Sequence, residues 1–281
     1  MNLILIAVVS LGSIGLISAV VLYVASKKFA VYEDPRIGQV AEALPQANCG
    51  GCGYPGCSGF AAACVKAGSL EGKLCPVGGQ ATMEKVAAIL GLEAVAAEPR
   101  VAVVRCNGTC ANRPQLTEYD GVRSCAVAHS TYGGETGCTS GCLGCGDCAE
   151  ACQFGGIRMN PETGLPEVDE DLCTACGACA AACPRNIIEL RPRGKNNRRV
   201  YVGCVNKDKG AVARKACAVA CIGCGKCVKV CPFDAVTVEN NLAYIDPAKC
   251  KSCRKCEMEC PQGAIVAVNF PPRKVKAEAE N

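Results

Sequence analysis

The sequence predicts an α+β chain, with one N-terminal membrane-spanning helix followed by small cysteine-rich modules, two of which form a tandem repeat. Three observations predict this. Residues 3–24 carry no charge, 27 of the 281 residues are cysteine, and eight of those cysteines recur further along the chain at near-constant offsets. So high a cysteine content would mark a disulfide scaffold in a short secreted protein. This chain is longer, and an odd count of 27 means that disulfides cannot use every thiol. Tryptophan is absent and Phe and Tyr total 12, which argues against an aromatic-rich core. A single histidine excludes multi-histidine metal sites, and a net charge of +4 excludes a strongly cationic nucleic-acid binder.

The first element is the run LILIAVVSLGSIGLISAVVLYV at 3–24. It is long enough to cross a hydrocarbon core of ~30 Å as a helix. A buried helix of a soluble protein rarely stays uncharged over such a length. A cleaved signal peptide would need a basic region before a shorter apolar run. Here only Met1 and Asn2 precede the run, and Lys27 and Lys28 follow it. That basic flank places the rest of the chain in the cytoplasm, with Tyr23 and Phe29 at interface depth. The expected location is a single pass through the inner (cytoplasmic) membrane. The cysteines then lie in a reducing compartment, where disulfides do not persist. The run holds no ionisable group, so it reads as an anchor and not an ion path. Gly12 and Gly15 offer close-packing points for partner helices.

After this anchor (1–25), the chain reads as a polar connector (26–46) and a first cysteine segment with a following helix (47–98). In that helix, at 80–92, Met83, Val86, Ala87 and Leu90 recur at helical spacing and Gly91 ends it. A cysteine-rich middle domain (99–138) opens with a strand-like VAVV. Two repeated modules (139–190 and 217–270) flank a basic connector (191–216), and the tail (271–281) reads as disordered. Cys142, Cys145, Cys148 and Cys152 recur as Cys221, Cys224, Cys227 and Cys231, each 79 residues later. Cys173, Cys176, Cys179 and Cys183 recur as Cys250, Cys253, Cys256 and Cys260, each 77 later. Matched positions in register indicate a duplicated module. Residues 236–245 read as two short strands around Asn240-Asn241, since Asn tolerates the left-handed backbone of a tight hairpin.

Each quartet has the form C-x2-C-x2-C-x3-C, and three of the four end in Cys-Pro. This is the bacterial ferredoxin run for [4Fe–4S] clusters, in which the fourth cysteine serves the other cluster of the pair. The modules are therefore ferredoxin-like, with crossed ligand sets. Cys142, Cys145 and Cys148 go with Cys183, and Cys173, Cys176 and Cys179 with Cys152. Cys221, Cys224 and Cys227 go with Cys260, and Cys250, Cys253 and Cys256 with Cys231. Structural zinc prefers two separated C-x2-C pairs and fits four triple runs poorly. Cys152 departs from the pattern, being followed by Gln153.

A fifth site is expected at NCGGCGYPGC, where Cys49, Cys52 and Cys57 are joined by Cys75 of a later Cys-Pro. Its glycines let backbone N–H groups approach cluster sulfurs. Cys64 competes for the fourth place but sits in a helical stretch, where a small buried hydrophobe is the simpler reading. Cys106, Cys110, Cys125 and Cys138 are expected to form a sixth site, with zinc or buried free thiols as the rivals. Cys204 and Cys217 are left over. Two thiols cannot hold a cubane, so they read as buried thiols.

The order of a charge-free N-terminal helix, NCGGCGYPGC, a late Cys-Pro and ferredoxin modules resembles the B subunit of the Rnf complexes. These are membrane-bound ferredoxin:NAD+ oxidoreductases that pump sodium ions or protons. VRCNGTC, YDGVRSC and GCTSGCLGCGDC resemble the longer, multi-cluster version of that subunit and support the sixth site. The resemblance implies an electron-transfer subunit of a translocase, with no catalytic site of its own. It implies integral membrane, flavin-bearing and NADH-binding partner subunits, and soluble ferredoxin as electron donor.

The residues agree with that division of labour. No G-x-G-x-x-G follows a strand and no P-loop appears, so no flavin or NAD site is expected here. His129 reads as a structural or surface residue. Three rivals stand beside this reading: a polyferredoxin subunit of another membrane oxidoreductase such as a hydrogenase, a zinc-rich binding module, and an enzyme with a substrate-binding cluster. The last would need a three-cysteine cluster, whereas the quartets are complete. Residues 191–215 hold nine basic residues and one acid. They read as a solvated linker, a landing site for an acidic ferredoxin, or a contact for anionic lipid.

Overall fold

The computed structural model describes residues 3–29, 34–94, 96 and 98–271, so all of the expected disordered tail but Pro271 lies outside the described residues. Helix α1 (Leu3–Lys28) is apolar all round until Lys27 and Lys28 in its last turn. Over Val8–Lys28 its mean hydropathy is 2.2, and none of it is buried in the protein. A helix with no polar face has no stable place on a water-facing surface, and this one is long and apolar enough to cross a membrane. Space beside Gly12 and Gly15 is open.

The stretch read as a connector contains a helix, α2 (Pro35–Ala43). Its start is locally encoded. The Asp34 side chain accepts the Arg36 N–H at 2.9 Å, and Pro35 supplies the preset φ of a first turn. Val40 and Leu44 then pack with Phe60, Cys64, Met83 and Val86 into one core with α3 (Gly56–Ala67) and α4 (Gly79–Leu90). This first unit thus begins near Asp34, earlier than the composition suggests. Helix α4 has the expected buried face, and Gly91 ends it at φ 67°.

The first module comprises β1 (Arg100–Val104), α5 (Cys125–Thr131), α6 (Asp147–Glu150), β2 (Ile157–Asn160), β3 (Leu165–Val168), α7 (Ala178–Ala181) and β4 (Ile188–Pro192). The second comprises β5 (Arg199–Val202), α8 (Gly210–Ala216), α9 (Lys226–Lys229), β6 (Val236–Glu239), β7 (Leu242–Ile245), α10 (Lys255–Met258) and β8 (Ile265–Val268). All sheets are antiparallel pairs: β1 with β4, β2 with β3, β5 with β8, and β6 with β7. The β6–β7 turn uses Asn240 and Asn241 at φ 49° and 62°.

The strand pairing redraws two boundaries. Strand β1 belongs to the first module although it begins the middle cysteine segment, and β5 belongs to the second although it lies in the basic connector. Val104 pairs with Ile188, and Val202 pairs with Ile265. Ile188 and Ile265 are repeat equivalents, so Val104 and Val202 are too. The next residue repeats the match: Arg105 N–H donates to Ile187 O at 2.7 Å, and Gly203 N–H to Ala264 O at 2.8 Å. Each module is an opening strand, an insert and then two cysteine loops.

The modules are joined by partly buried ion pairs. Glu189 of β4 accepts from Arg105 and Arg191 and from the Tyr244 hydroxyl of the second module at 2.8 Å. Glu170 of the first module pairs with Arg199 of β5 and accepts from Asn269. Arg191 and Arg199 of the basic stretch are therefore buried structural groups, and Arg193 donates to the Glu170 and Cys173 carbonyls. Lys195, Lys207, Lys209, Arg214 and Lys215 stay exposed.

Candidate metal centres

Each ferredoxin-type loop repeats one backbone pattern. The residue just before the second cysteine and the residue just after it both have positive φ: Gly144 and Gly146, Ala175 and Gly177, Gly223 and Gly225, Ser252 and Arg254. Two left-handed turns curl the chain tightly about the second cysteine of each loop. The third cysteine then opens a one-turn helix: Cys148 on α6, Cys179 on α7, Cys227 on α9 and Cys256 on α10, all buried.

Across each module thiols of the two loops meet in the crossed pairing, although Cys145 stays outside its space. One space of about 350 Å3 is lined by Cys142, Cys148 and Cys183, and one of about 340 Å3 by Cys152, Cys173, Cys176 and Cys179. In the second module Cys221, Cys224, Cys227 and Cys260 line about 370 Å3. Burial pushes the Cys256 thiol up to about 12, and Cys250, Cys253 and Cys231 are among the neighbours that add to it. Cys231 thus lies with the second loop of its module. Burial likewise raises Cys148 to about 12, with Cys183 adding to it, and Cys179 and Cys227 to about 11. Such thiols are protonated without metal, so loading iron must release protons. Backbone N–H groups reach sulfur directly, Ala243 to Cys221 and Ser252 to Cys250, each at 3.4 Å.

In the first unit, Cys49, Cys52, Cys57 and Cys75 line a space of about 320 Å3. Asn48 fixes its loop by accepting the Cys57 N–H at 2.8 Å, and the Gly78 N–H points at Cys75 Sγ at 3.4 Å. Gly56 leaves room for that Asn48 oxygen, since a Cβ there would come within 2.8 Å of it. Cys64 lies in α3 within the apolar core, apart from this space, and burial raises its thiol to about 11.

The structure does not bring Cys106, Cys110, Cys125 and Cys138 together. Cys110 is exposed, and its sulfur lies against Gly164 in the β2–β3 turn. Cys125 opens α5, where Asp147 Oδ1 accepts its N–H at 2.7 Å, and it lines the space of Cys142, Cys148 and Cys183 as a further thiol. Cys145 is next to it and is not among the lining residues. Cys106 and Cys138 instead share a space with Cys204 and Cys217. The sequence carries a signal for this. Cys138 and Cys217 each stand four residues before the first cysteine of a repeat, at the same offset of 79. His129 is exposed on α5.

The thiol sets fit iron–sulfur clusters. Among the described residues, no three Cys, His, Asp or Glu side chains converge as the ligands of one metal ion do. The thiols instead ring a larger space, as a cubane requires.

Fold and site together define an iron–sulfur electron-transfer protein. A family pattern described as a 4Fe-4S dicluster domain matches residues 141–187, 172–235 and 220–264, and an Fe-S cluster pattern matches 44–77. The chain is 49% identical over 251 residues to the B subunit of the Na(+)-translocating ferredoxin:NAD(+) oxidoreductase complex of Acetobacterium woodii, covering 89% of this chain and 74% of the relative. It is 44% identical to the B subunit of the proton-translocating ferredoxin:NAD(+) oxidoreductase complex of Clostridium ljungdahlii, covering 90% and 87%. It is 42% identical to the B subunit of the ion-translocating oxidoreductase complex of Methanosarcina acetivorans, covering 91% and 95%. The chain belongs to the B-subunit family of the ion-translocating ferredoxin:NAD+ oxidoreductases, the Rnf complexes. It is a [4Fe–4S] protein, and α1 marks it as membrane-associated.

Proposed function

We propose that this chain carries electrons one at a time from reduced ferredoxin toward the membrane-bound and flavin-bearing subunits of its complex, with α1 as anchor and the cysteine units in the cytoplasm. The observation that carries this reading is the adjacency of the thiol-lined sites. A Cβ at Gly51, in the first loop, would lie 2.6 Å from the Cys176 carbonyl oxygen. The Cys49 site therefore abuts the Cys173–Cys179 loop. Cys179 is near enough to Cys148, in the other loop of the first module, to add to the cost of charging it, as Cys227 is to Cys256 in the second.

In the proposal, Cys49, Cys52, Cys57 and Cys75 hold one [4Fe–4S] cluster and the four crossed sets hold four more. Bound there, each group supplies reversible one-electron storage. The protein's part is to hold the thiolates, to aim N–H donors at sulfur and to keep the sites adjacent. The charge-free run at 3–24, within α1, offers no ion path, and relatives of similar identity are named for different coupling ions. Ion choice then belongs to partner subunits.

Full-length protein, purified without oxygen, should be reduced by stoichiometric reduced ferredoxin, seen as bleaching of its visible absorption. NADH alone should leave the absorption unchanged, because among the described residues no G-x-G-x-x-G follows a strand. Failure of ferredoxin to reduce it, or direct reduction by NADH, would sink the reading.

A further inference from the structure

We propose that Cys106, Cys138, Cys204 and Cys217, two thiols from each module, form a further [4Fe–4S] site at the junction of the repeats. The proposal builds on the electron-carrier reading and gives four of the seven cysteines outside its five sites a common role.

Three independent observations carry it. The first is symmetry. Because Val104 and Val202 are equivalent by strand register, Cys106 and Cys204, each two residues further on, are equivalent as well. Cys138 and Cys217 match through the cysteine offset. The junction is sealed by the Asn107 N–H, which donates to Gly203 O at 2.9 Å, and the Ala218 N–H, which donates to Asn112 O at 2.8 Å. Four thiols from two duplicated halves thus converge on one space of about 340 Å3, the size of the ferredoxin-type spaces.

The second observation is the lining. A Cβ at Gly108 would lie 3.2 Å from Cys217 Sγ, and one at Gly141 would lie 3.1 Å from Cys138 Sγ. Asn206, 1% exposed, directs its Nδ2 toward Cys138 Sγ at 3.8 Å. The third is charge. Arg113 is 7% exposed and lines the space, yet its guanidinium meets only the Cys142 and Gly164 carbonyls. Arg185 donates to the Cys138 and Gly141 carbonyls. Among the described residues neither has a carboxylate partner. A buried cation such as Arg113 without counter-charge is costly, and a tetrathiolate iron–sulfur centre is anionic.

The location gives the site its task. The Cys142 N–H donates to Cys106 Sγ at 3.4 Å, and the Cys221 N–H approaches Cys204 in the equivalent way. Each donor belongs to the first cysteine of a ferredoxin-type site, so the junction bridges the two modules. An electron accepted from one flank leaves by the other, and the site ends each passage unchanged. The low-potential one-electron donor that feeds the chain is what becomes oxidised.

The test is iron and acid-labile sulfide per chain in full-length protein loaded without oxygen. Wild type should hold about 24 iron atoms, six groups of four. The Cys204→Ser/Cys217→Ser double variant should lose about four iron atoms, one group, and Cys110→Ala none. A wild type near 20 iron atoms would overturn the junction site and leave the other five, whereas a protein without iron would overturn the electron-carrier reading itself. Loss of one group in Cys110→Ala would also overturn the assignment. Asn206→Ala keeps all four thiols, which guards against misfolding of the double variant. It removes a donor to sulfur that favours the more negative, reduced state. The potential of one sixth of the iron should fall, and six unmoved potentials would count against the site.

Discussion

Asp147 shows how much one side chain does here. It is the residue before Cys148, and its carboxylate accepts the N–H groups of Cys125 and Ala126 at 2.7 and 3.1 Å and the Ser124 hydroxyl at 2.9 Å. It thus caps α5 from another element, since Ser124 makes no side-chain cap of its own. Partial burial pushes its carboxyl up, but those donors outweigh burial and hold it below its ordinary 3.8. A depressed folded pKa contributes stability above the unfolded value, which is lost as pH falls through the folded one. Asp147→Ala should cost about 1 kcal/mol. The loss should be full near neutral pH and vanish in strong acid, read as the difference in unfolding free energy across a pH series.

Among elements, the four ferredoxin-type loops differ in what lies across from the same left-handed position. That residue is Gly144, Ala175, Gly223 or Ser252. Ala and Ser occupy two of the four, so the conformation by itself does not demand glycine. At Gly223 a Cβ would come within 2.7 to 2.9 Å of the Asn241 backbone, in the β6–β7 turn, while at Gly144 the nearest atom is 3.5 Å away. Both alanine variants bear the left-handed cost of about 1–2 kcal/mol, but only Gly223→Ala must also displace a hairpin. It should lower the melting temperature more than Gly144→Ala does. It should also release iron from the Cys221 site first, measured as iron lost on mild heating. Equal effects would mean that the hairpin yields.

For the whole molecule, the docking of the modules rests on Glu189. It neutralises Arg191, 2% exposed, and Arg105, while both guanidinium groups lie over the Tyr244 ring at 5.1 and 5.0 Å. Removing the half-buried carboxylate strands the buried Arg191 guanidinium. Glu189→Ala should destabilise the cluster-loaded chain by about 3 kcal/mol, and Glu189→Gln, which keeps an acceptor, by less. Thermal unfolding of the loaded protein checks the order. Because the junction cysteines come from both modules, Glu189→Ala should also loosen their iron before that of the Cys49 site. Reversal of Arg199 would break the Glu170 pair, so it probes module docking and not a free surface.

The amino-acid order alone settles whatever local spacing encodes. The charge-free run, the helix at 80–92 with Met83 and Gly91, the Asn240-Asn241 hairpin and the recurring cysteine offsets are each a pattern within a short stretch, and all but the offsets appear directly as elements. Helix α2 is legible in principle through Asp34 and Pro35 but is polar enough to pass for a linker. The tertiary structure decides which thiols meet across long separations. Proximity along the chain groups Cys106 and Cys138 with Cys110 and Cys125. Strand register instead carries β1 to β4 and β5 to β8, which turns Cys110 outward and brings Cys204 and Cys217 to the junction. Pairing of strands some 90 residues apart depends on the closure of a whole module, and no window along the chain contains that information.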